Sequence, residues 1–255
     1  MIDSVMGEGA SLSPMVRLGT LPLRLLAIER GAQLVFTEEI VADKLAVATR
    51  EYDRRLGTTD WCSATGASLL RTCEAERGRL VVQIGVADVV TALAAAKSLI
   101  DPNDPSRDGI VGLDINMGCA KRNTTEHGAG FALFCDPGRS QAVVRALRAF
   151  VPPQIRISCK VRLCDAGADA TSARCLGLVA AGASAISIHA RRAHEKARDL
   201  ARWGEVAMVV QQLRGKAHVL VNGDALDATA VEELRKASPL SSNPHLGLCR
   251  TITSP

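Results

Sequence analysis

Asn116 and Cys119 close an apolar run with the two residue types in this chain best suited to chemistry. Gly109–Ile115 leads into Asp114-Ile115-Asn116-Met117-Gly118-Cys119, which delivers an amide, a glycine turn and one thiol. A free thiol with a pKa of ~8.5 is mostly protonated near neutrality and can donate a proton, whereas its thiolate attacks. The structural alternative is a buried cysteine, because free Cys is among the most buried residue types. Other apolar runs also end in polar side chains. Gln83 ends Val81-Val82-Gln83, and Lys160 lies in Ile157-Ser158-Cys159-Lys160-Val161. His189 and Arg191 end Ile186-Ser187-Ile188-His189-Ala190-Arg191, while Asn222, Gly223 and Asp224 end Val219-Leu220-Val221. Singly, each has a structural reading: a snorkelling lysine, a hydrogen-bonded core histidine, an amide serving the backbone, an Asn-Gly turn. Their recurrence at successive run ends points to one shared site.

Those runs are strand candidates: 11–16, 33–37, 80–84, 109–116, 154–161, 185–189 and 217–222. Helix-patterned segments lie between and after them, at 21–30, 40–50, 86–100, 137–150, 170–181, 204–215 and 227–236. Gly31, Gly182 and Gly215 stand just past helices, where a left-handed cap is wanted. Strands alternating with helices imply crossover units and a parallel sheet. The expected fold is an α/β, TIM (β/α)8-type barrel, whose chemistry gathers at the C-terminal ends of the strands. Its catalytic domain is expected over 1–236, with an irregular tail over 237–255. About seven βα units are visible where a closed barrel wants about eight, so the last unit reads as missing or degenerate. Residues 57–79 break the rhythm and are expected to form a hairpin over the barrel mouth.

Composition narrows the setting. Aromatic residues are 3% of the 255 residues against 47% hydrophobic, so the core must be built mainly from Ala, Val, Leu and Ile. The net charge of +4 permits an anionic partner without demonstrating one. The 8 cysteines include no C-x-x-C pair and no Cys/His cluster with zinc spacing, so no metal and no disulfide framework is expected. No apolar run reaches the ~18 residues of a membrane span, and the N-terminus lacks a secretory pattern. A cytoplasmic or nuclear protein is expected.

The donors fit a flavin. The polar edge of an isoalloxazine ring needs amide and cationic partners, which Gln83 and Lys160 can supply. Ser13-Pro-Met-Val-Arg-Leu-Gly-Thr-Leu-Pro22, Arg71-Thr-Cys-Glu74, Val82-Gln-Ile-Gly85, Asp114-Ile-Asn-Met-Gly-Cys119, Cys159-Lys-Val-Arg162, Ile188-His-Ala-Arg191 and Asn222-Gly-Asp224 together resemble the tRNA-dihydrouridine synthases. The Pro-Met-Val-Arg and Arg-Thr-Cys-Glu segments resemble in particular the eukaryotic class that modifies position 20 of tRNA. The resemblance spans approximately residues 12–236 and implies an FMN-linked barrel that uses NADPH to reduce the C5=C6 bond of a tRNA uridine.

The resemblance also implies roles. Pro14, Met15 and Val16 would wrap the flavin, and Gln83, Lys160 and His189 would bond it. Asn222, Gly223 and Asp224 would begin its phosphate site. Cys119 would protonate C5 of the base, Asn116 would orient the base, and Arg191 and Arg17 would hold RNA or phosphate.

The chain departs from the family pattern in three places. Ala120 stands where the family has Pro after the catalytic Cys, which should loosen the turn that aims the thiol. No Gly-Arg-Gly or Ala-Arg type strand end follows Lys236, and no C-terminal helical or double-stranded-RNA-binding domain is seen. Two other readings therefore stand beside the first: an FMN barrel acting on a free pyrimidine, and a truncated barrel fragment that only binds RNA or a partner.

Overall fold

The computed structural model describes residues 10–224 and 246–250. Strand and helix alternate through most of that span, for reasons legible in the residues. Helix α1, Leu21–Glu29, starts with Pro22 in its first turn, where a missing N–H costs nothing. Strands β1 (Ala10–Leu12), β2 (Val35–Phe36) and β3 (Ile40–Val41) are short, and helix α2 (Ala42–Ala46) follows directly. The helix expected over 40–50 is therefore confined to five residues. Beyond it lies a separate antiparallel sheet of β4 (Thr49–Asp53), β5 (Thr58–Cys62) and β6 (Ser68–Cys73).

The regular units come next: β7 (Leu80–Gly85), α3 (Val89–Leu99), β8 (Ile110–Met117), α4 (Arg122–Glu126), α5 (Phe131–Phe134), α6 (Pro137–Phe150), β9 (Arg156–Leu163), α7 (Ala168–Ala180), β10 (Ala185–Arg192), α8 (Trp203–Leu213) and β11 (His218–Asn222). Three of the helices bury the same i, i+3, i+4, i+7 stripe: Ala92/Ala95/Ala96/Leu99, Ser140/Val143/Val144/Leu147 and Val206/Val209/Val210/Leu213. That spacing turns one face of a 3.6-residue helix onto the sheet. Asp88 and Asp136 cap α3 and α6 by accepting from the backbone of Thr91 and Arg139. Gly182 follows α7 at φ 116°, the left-handed position its cap requires.

All contacts in the main sheet are parallel, and the sheet closes on itself. β1 pairs with β2, β2 with β7, and β7 through β11 pair in sequence order. Strand β12, Leu246–Arg250, then lies between β11 and β1, with Val221 opposite Leu248 and Leu12 opposite Arg250. This corrects the expectation of an irregular tail: residues 246–250 take the eighth place in the ring. Leu-Gly-Leu-Cys-Arg has no β-branched residue and no alternation to announce a strand, so pairing on both sides decides it. The helix expected over 227–236 lies outside the described residues.

The second barrel strand is broken. Val35 and Phe36 sit opposite Leu80 and Val81, and Ile40 and Val41 opposite Ile84 and Gly85, so residues 37–39 oppose only Val82 and Gln83. One extra residue in a strand is a bulge, which re-aims its side chains.

The small sheet does not cover the barrel mouth. Trp61, fully buried, donates from Nε1 to the Ser98 carbonyl (3.0 Å) in the last turn of α3, and Arg50 pairs with Asp108 just ahead of β8. Both anchors belong to the N-terminal ends of the strands. A hairpin inserted between a helix and the next strand emerges at that end, opposite the site.

Candidate active site

At the C-terminal ends of the strands a cavity of about 820 Å³ opens. Pro14, Val16, Gln83, Asn116, Cys119, Lys160, His189, Arg191, Asn222, Gly223 and Asp224 all line it. Eleven of the thirteen residues expected at the site thus meet in one place, although they come from six strands. Met15 and Arg17 do not. Met15 is 8% exposed and packs in the core, and Arg17 is exposed on the turn after β1, with φ 65° and its N–H bonded to Glu38.

Cys119 is held by its backbone. The Asn116 Oδ1 accepts from the N–H groups of Gly118 and Cys119, both at 3.0 Å. The Cys119 carbonyl accepts from Phe131 N (2.9 Å), and Arg162 Nε donates to the Gly118 carbonyl (3.0 Å). The thiol itself points at Thr124 Oγ1, 3.4 Å away. Gly130, at φ 60°, packs under this turn, where a methyl group would overlap the Cys119 carbonyl oxygen. These four backbone bonds hold the turn that a proline after the cysteine was expected to stiffen, so Ala120 need not leave it loose.

Beneath the thiol a buried polar chain runs down the barrel wall. Asn116 Nδ2 donates to Gln83 Oε1 (3.4 Å), and Gln83 Nε2 donates to Asp114 Oδ2 (2.7 Å). Ser158 Oγ donates to the other Asp114 oxygen at 2.5 Å. Burial pushes the Asp114 carboxyl up, while the bonds from Gln83 and Ser158 and the charge of Lys160 oppose that rise. Sequence reading passed over Asp114. Its signal was a carboxylate inside an otherwise apolar run, which only a partnered strand core tolerates.

Lys160 Nζ donates to Asn222 Oδ1 (3.1 Å), joining β9 to β11 across His189 on β10. Burial holds the His189 imidazole down to about 2, and the charges of Lys160, Arg162 and Arg191 add to the shift. His189 is neutral in the folded protein. Arg191 Nη1 donates to its Nε2 at 3.4 Å, which leaves the ring proton on Nδ1. An unfolded chain protonates this histidine near its ordinary ~6.5, far above the folded value. Its stabilisation is therefore complete above that pH and falls on acidification, by at most ~1.4 kcal/mol per pH unit. Urea denaturation should show the parent losing more stability than His189→Gln between pH 7 and pH 5. Equal losses would mean that His189 is not kept neutral.

Arg191 is 5% exposed, and its guanidinium donates to the carbonyls of Asp199 (2.7 Å) and Ala197 (3.2 Å) and pairs with Asp224. Asp224 also accepts from Ala201 N at 2.8 Å. Arg191 thereby braces the loop after β10 from the cavity wall, and the Asp224 carboxylate is likewise committed. Beside Lys160 and Arg191, the cations that line the cavity are Lys121, Arg162 and Lys196. Lys121 and Lys196 were not singled out from sequence, because a charge outside a strand or long helix gives no periodic signal, and Arg162 entered only as part of the Cys159-Lys-Val-Arg162 segment.

Among the described residues no cluster of His, Cys, Asp or Glu could hold a metal ion, and no helix is long and apolar enough to cross a membrane.

A family model described as dihydrouridine synthase (Dus) matches residues 11–238. A Schizosaccharomyces pombe protein named tRNA-dihydrouridine(20) synthase (NAD(P)+) is 34% identical over 222 residues, covering 84% of this chain and 45% of its own. The Saccharomyces cerevisiae protein of the same name is 31% identical over 234 residues, covering 88% and 59%. A second Saccharomyces cerevisiae protein, tRNA-dihydrouridine(20a/20b) synthase (NAD(P)+), is 29% identical over 224 residues. The chain spans about half the length of the curated relatives it matches.

Proposed function

The chain belongs to the dihydrouridine synthase family, and from that premise we propose that it reduces the C5=C6 bond of a D-loop uridine in tRNA, with FMN as prosthetic group and NADPH as reductant. The observation that carries this reading is the convergence of Gln83, Cys119, Lys160 and His189 on one cavity, with the thiol braced by its backbone.

The wall suits a flavin ring. Gln83 keeps one amide hydrogen beyond its bond to Asp114, Lys160 brings a cation, and the neutral imidazole of His189 offers Nδ1–H. Asn222 and Gly223 end β11 at the position where a phosphate is bound in such barrels, and Asp224 can contribute only its backbone there. The volume is in the range of ligand pockets, with room for a stacked base. Held there by Gln83, Lys160 and His189, FMN would supply hydride chemistry toward C6 of the uracil.

The remaining work falls to this chain's residues. Cys119 gives its Sγ proton to C5, so the base gains one hydride and one proton and the C5=C6 bond becomes single. Thr124 holds the thiol hydrogen until the base arrives, and Asn116 fixes the backbone from which the thiol projects. A uridine inside a folded tRNA must be extruded to reach this depth. Lys121, Arg162 and Lys196, with Arg17 on the neighbouring turn, supply charge for the RNA backbone. A cytoplasmic or nuclear setting completes the reading, supported by seven unpaired cysteines among the described residues.

The direct test is flavin content and dihydrouridine formation. Purified protein should show flavin absorbance and, with NADPH, convert unmodified tRNA. Lys160→Ala should lower FMN affinity by roughly tenfold or more, the order of one charged hydrogen bond. Flavin content and reduction kinetics equal to the parent's would remove Lys160 from the flavin site. A parent that stays colourless after addition of FMN and forms no dihydrouridine would overturn the reading.

A further inference from the structure

The bulge between β2 and β3 places one acidic side chain in the cavity that the mechanism above does not use. Glu39 is the last bulge residue, and it lines the cavity with Gln83, Asn116 and Lys121. Its carboxyl lies against Gly85 at the end of β7, where a methyl group would collide with Oε1. Burial raises the pKa of the carboxyl, while the charge of Lys121 and a hydrogen bond from Asn116 oppose the rise.

A tally of acceptors shows what is unusual about it. The Asn116 oxygen serves the amides of Gly118 and Cys119, and the Gln83 oxygen serves Asn116. The Asn222 oxygen takes Lys160. Glu195 accepts from Arg202 and from the Arg192 backbone, and Asp224 from Arg191 and the Ala201 backbone. Among the described side chains lining the cavity, each other carboxylate or amide oxygen atom is thus bonded within the protein. Glu39, with two oxygens and one donor in Asn116, has lone pairs left over.

A uracil ring needs such a group. Its O2 and O4 take donors, which this wall has in Lys121 and Arg162, but its N3–H needs an acceptor. Cytosine reverses that edge, presenting a lone pair at N3. We propose that Glu39 selects a uracil ring over a cytosine ring by accepting the N3–H of the base. The assignment rests on the uridine-reductase reading of this cavity. It applies to the carboxylate, which only accepts; a protonated carboxyl would add an O–H donor that cytosine N3 can take. Facing cytosine, the same oxygen meets a lone pair and goes unpaired, the condition under which polar sites discriminate strongly.

The test uses ligand-observed NMR titration of the whole FMN-supplemented chain with UMP, 3-methyl-UMP and CMP. The parent should bind UMP at least ~tenfold more tightly than either analogue, a difference of about 1.4 kcal/mol. Glu39→Gln, whose amide oxygen still accepts but whose NH2 can donate to cytosine N3, should lose most of the preference over CMP while still accepting the N3–H of UMP, and Glu39→Leu should lose the preference altogether. If Glu39 served only to hold Asn116, Glu39→Leu would weaken all three ligands alike and leave their ratio unchanged, which overturns the proposal. So would a parent that binds the three equally, or binds none. If Glu39→Leu folds poorly, the nearly isosteric Glu39→Gln supplies the decisive measurement through its lost discrimination against CMP. A parent that modifies no tRNA yet prefers UMP overturns the tRNA reading alone and keeps Glu39 as the base reader.

Discussion

Cys119→Ala is expected to lower dihydrouridine formation by at least ~100-fold, the usual contribution of a positioned general acid. Reduction of the bound flavin by NADPH should continue at the parent rate, because the thiol acts on the base and not on the nicotinamide. The measurement is a single-turnover experiment in which prereduced protein is mixed with unmodified tRNA and reoxidation is followed. Alanine keeps the backbone bonds to Asn116 and Phe131 that shape the turn, so the loss isolates the proton. Cys119→Ser should also fail: a serine hydroxyl can point at Thr124 as the thiol does, but it is a much weaker acid. Parent-rate turnover by Cys119→Ala would move the proton donor elsewhere in the cavity.

The second large effect concerns stability, far from the chemistry. Arg24 and Glu76 form a buried pair with side chains 2% and 0% exposed, bonded at 2.6 Å and 2.9 Å. The same guanidinium donates to the carbonyls of Gly19 (2.5 Å) and Arg71 (2.6 Å). It therefore ties α1 to the end of the small sheet and to the turn that follows β1. Glu76→Ala leaves an uncompensated buried cation and should cost about 3–5 kcal/mol in urea unfolding. Replacing both partners, as in Arg24→Met with Glu76→Leu, should recover much of that loss, because neither charge then remains to be desolvated. A single variant that unfolds within ~1 kcal/mol of the parent would show the pair to be incidental.

That pair also explains the Arg-Thr-Cys-Glu segment, which carried part of the family resemblance. Arg71 gives its carbonyl to Arg24 and pairs with Asp60 at 2.7 Å, and Glu74 pairs with Arg77. The segment is a clasp between the small sheet and the barrel, not a set of ligands.

The barrel class and most of the site were legible in the order of residues. Parallel strands expose their C-terminal ends on one face, so a polar residue that ends an apolar run falls on that face wherever the run lies in the chain. Gln83, Asn116, Cys119, Lys160, His189 and Asn222 were found in this way, and all reach the cavity. Helix faces were equally plain, since a stripe such as Val206, Val209, Val210 and Leu213 is periodic in sequence itself.

What escaped depended on neighbours distant in the chain. Leu246–Arg250 is a strand because β1 and β11 flank it, and nothing within those five residues says so. The bonds from Arg191 to Asp199, Ala197 and Asp224, which brace the loop after β10, join segments that only the fold brings together. Glu39 is ordinary until a one-residue bulge aims it at the cavity and the other carboxylate and amide oxygens lining the wall prove to be bonded within the protein. The amino-acid order alone determined the family, the parallel-barrel class and the thiol at a strand end, since these follow from local periodicity and short motifs. Only the tertiary structure decided which polar groups are spent on one another and which remain for a ligand, because hydrogen-bond capacity is consumed by contacts between remote segments.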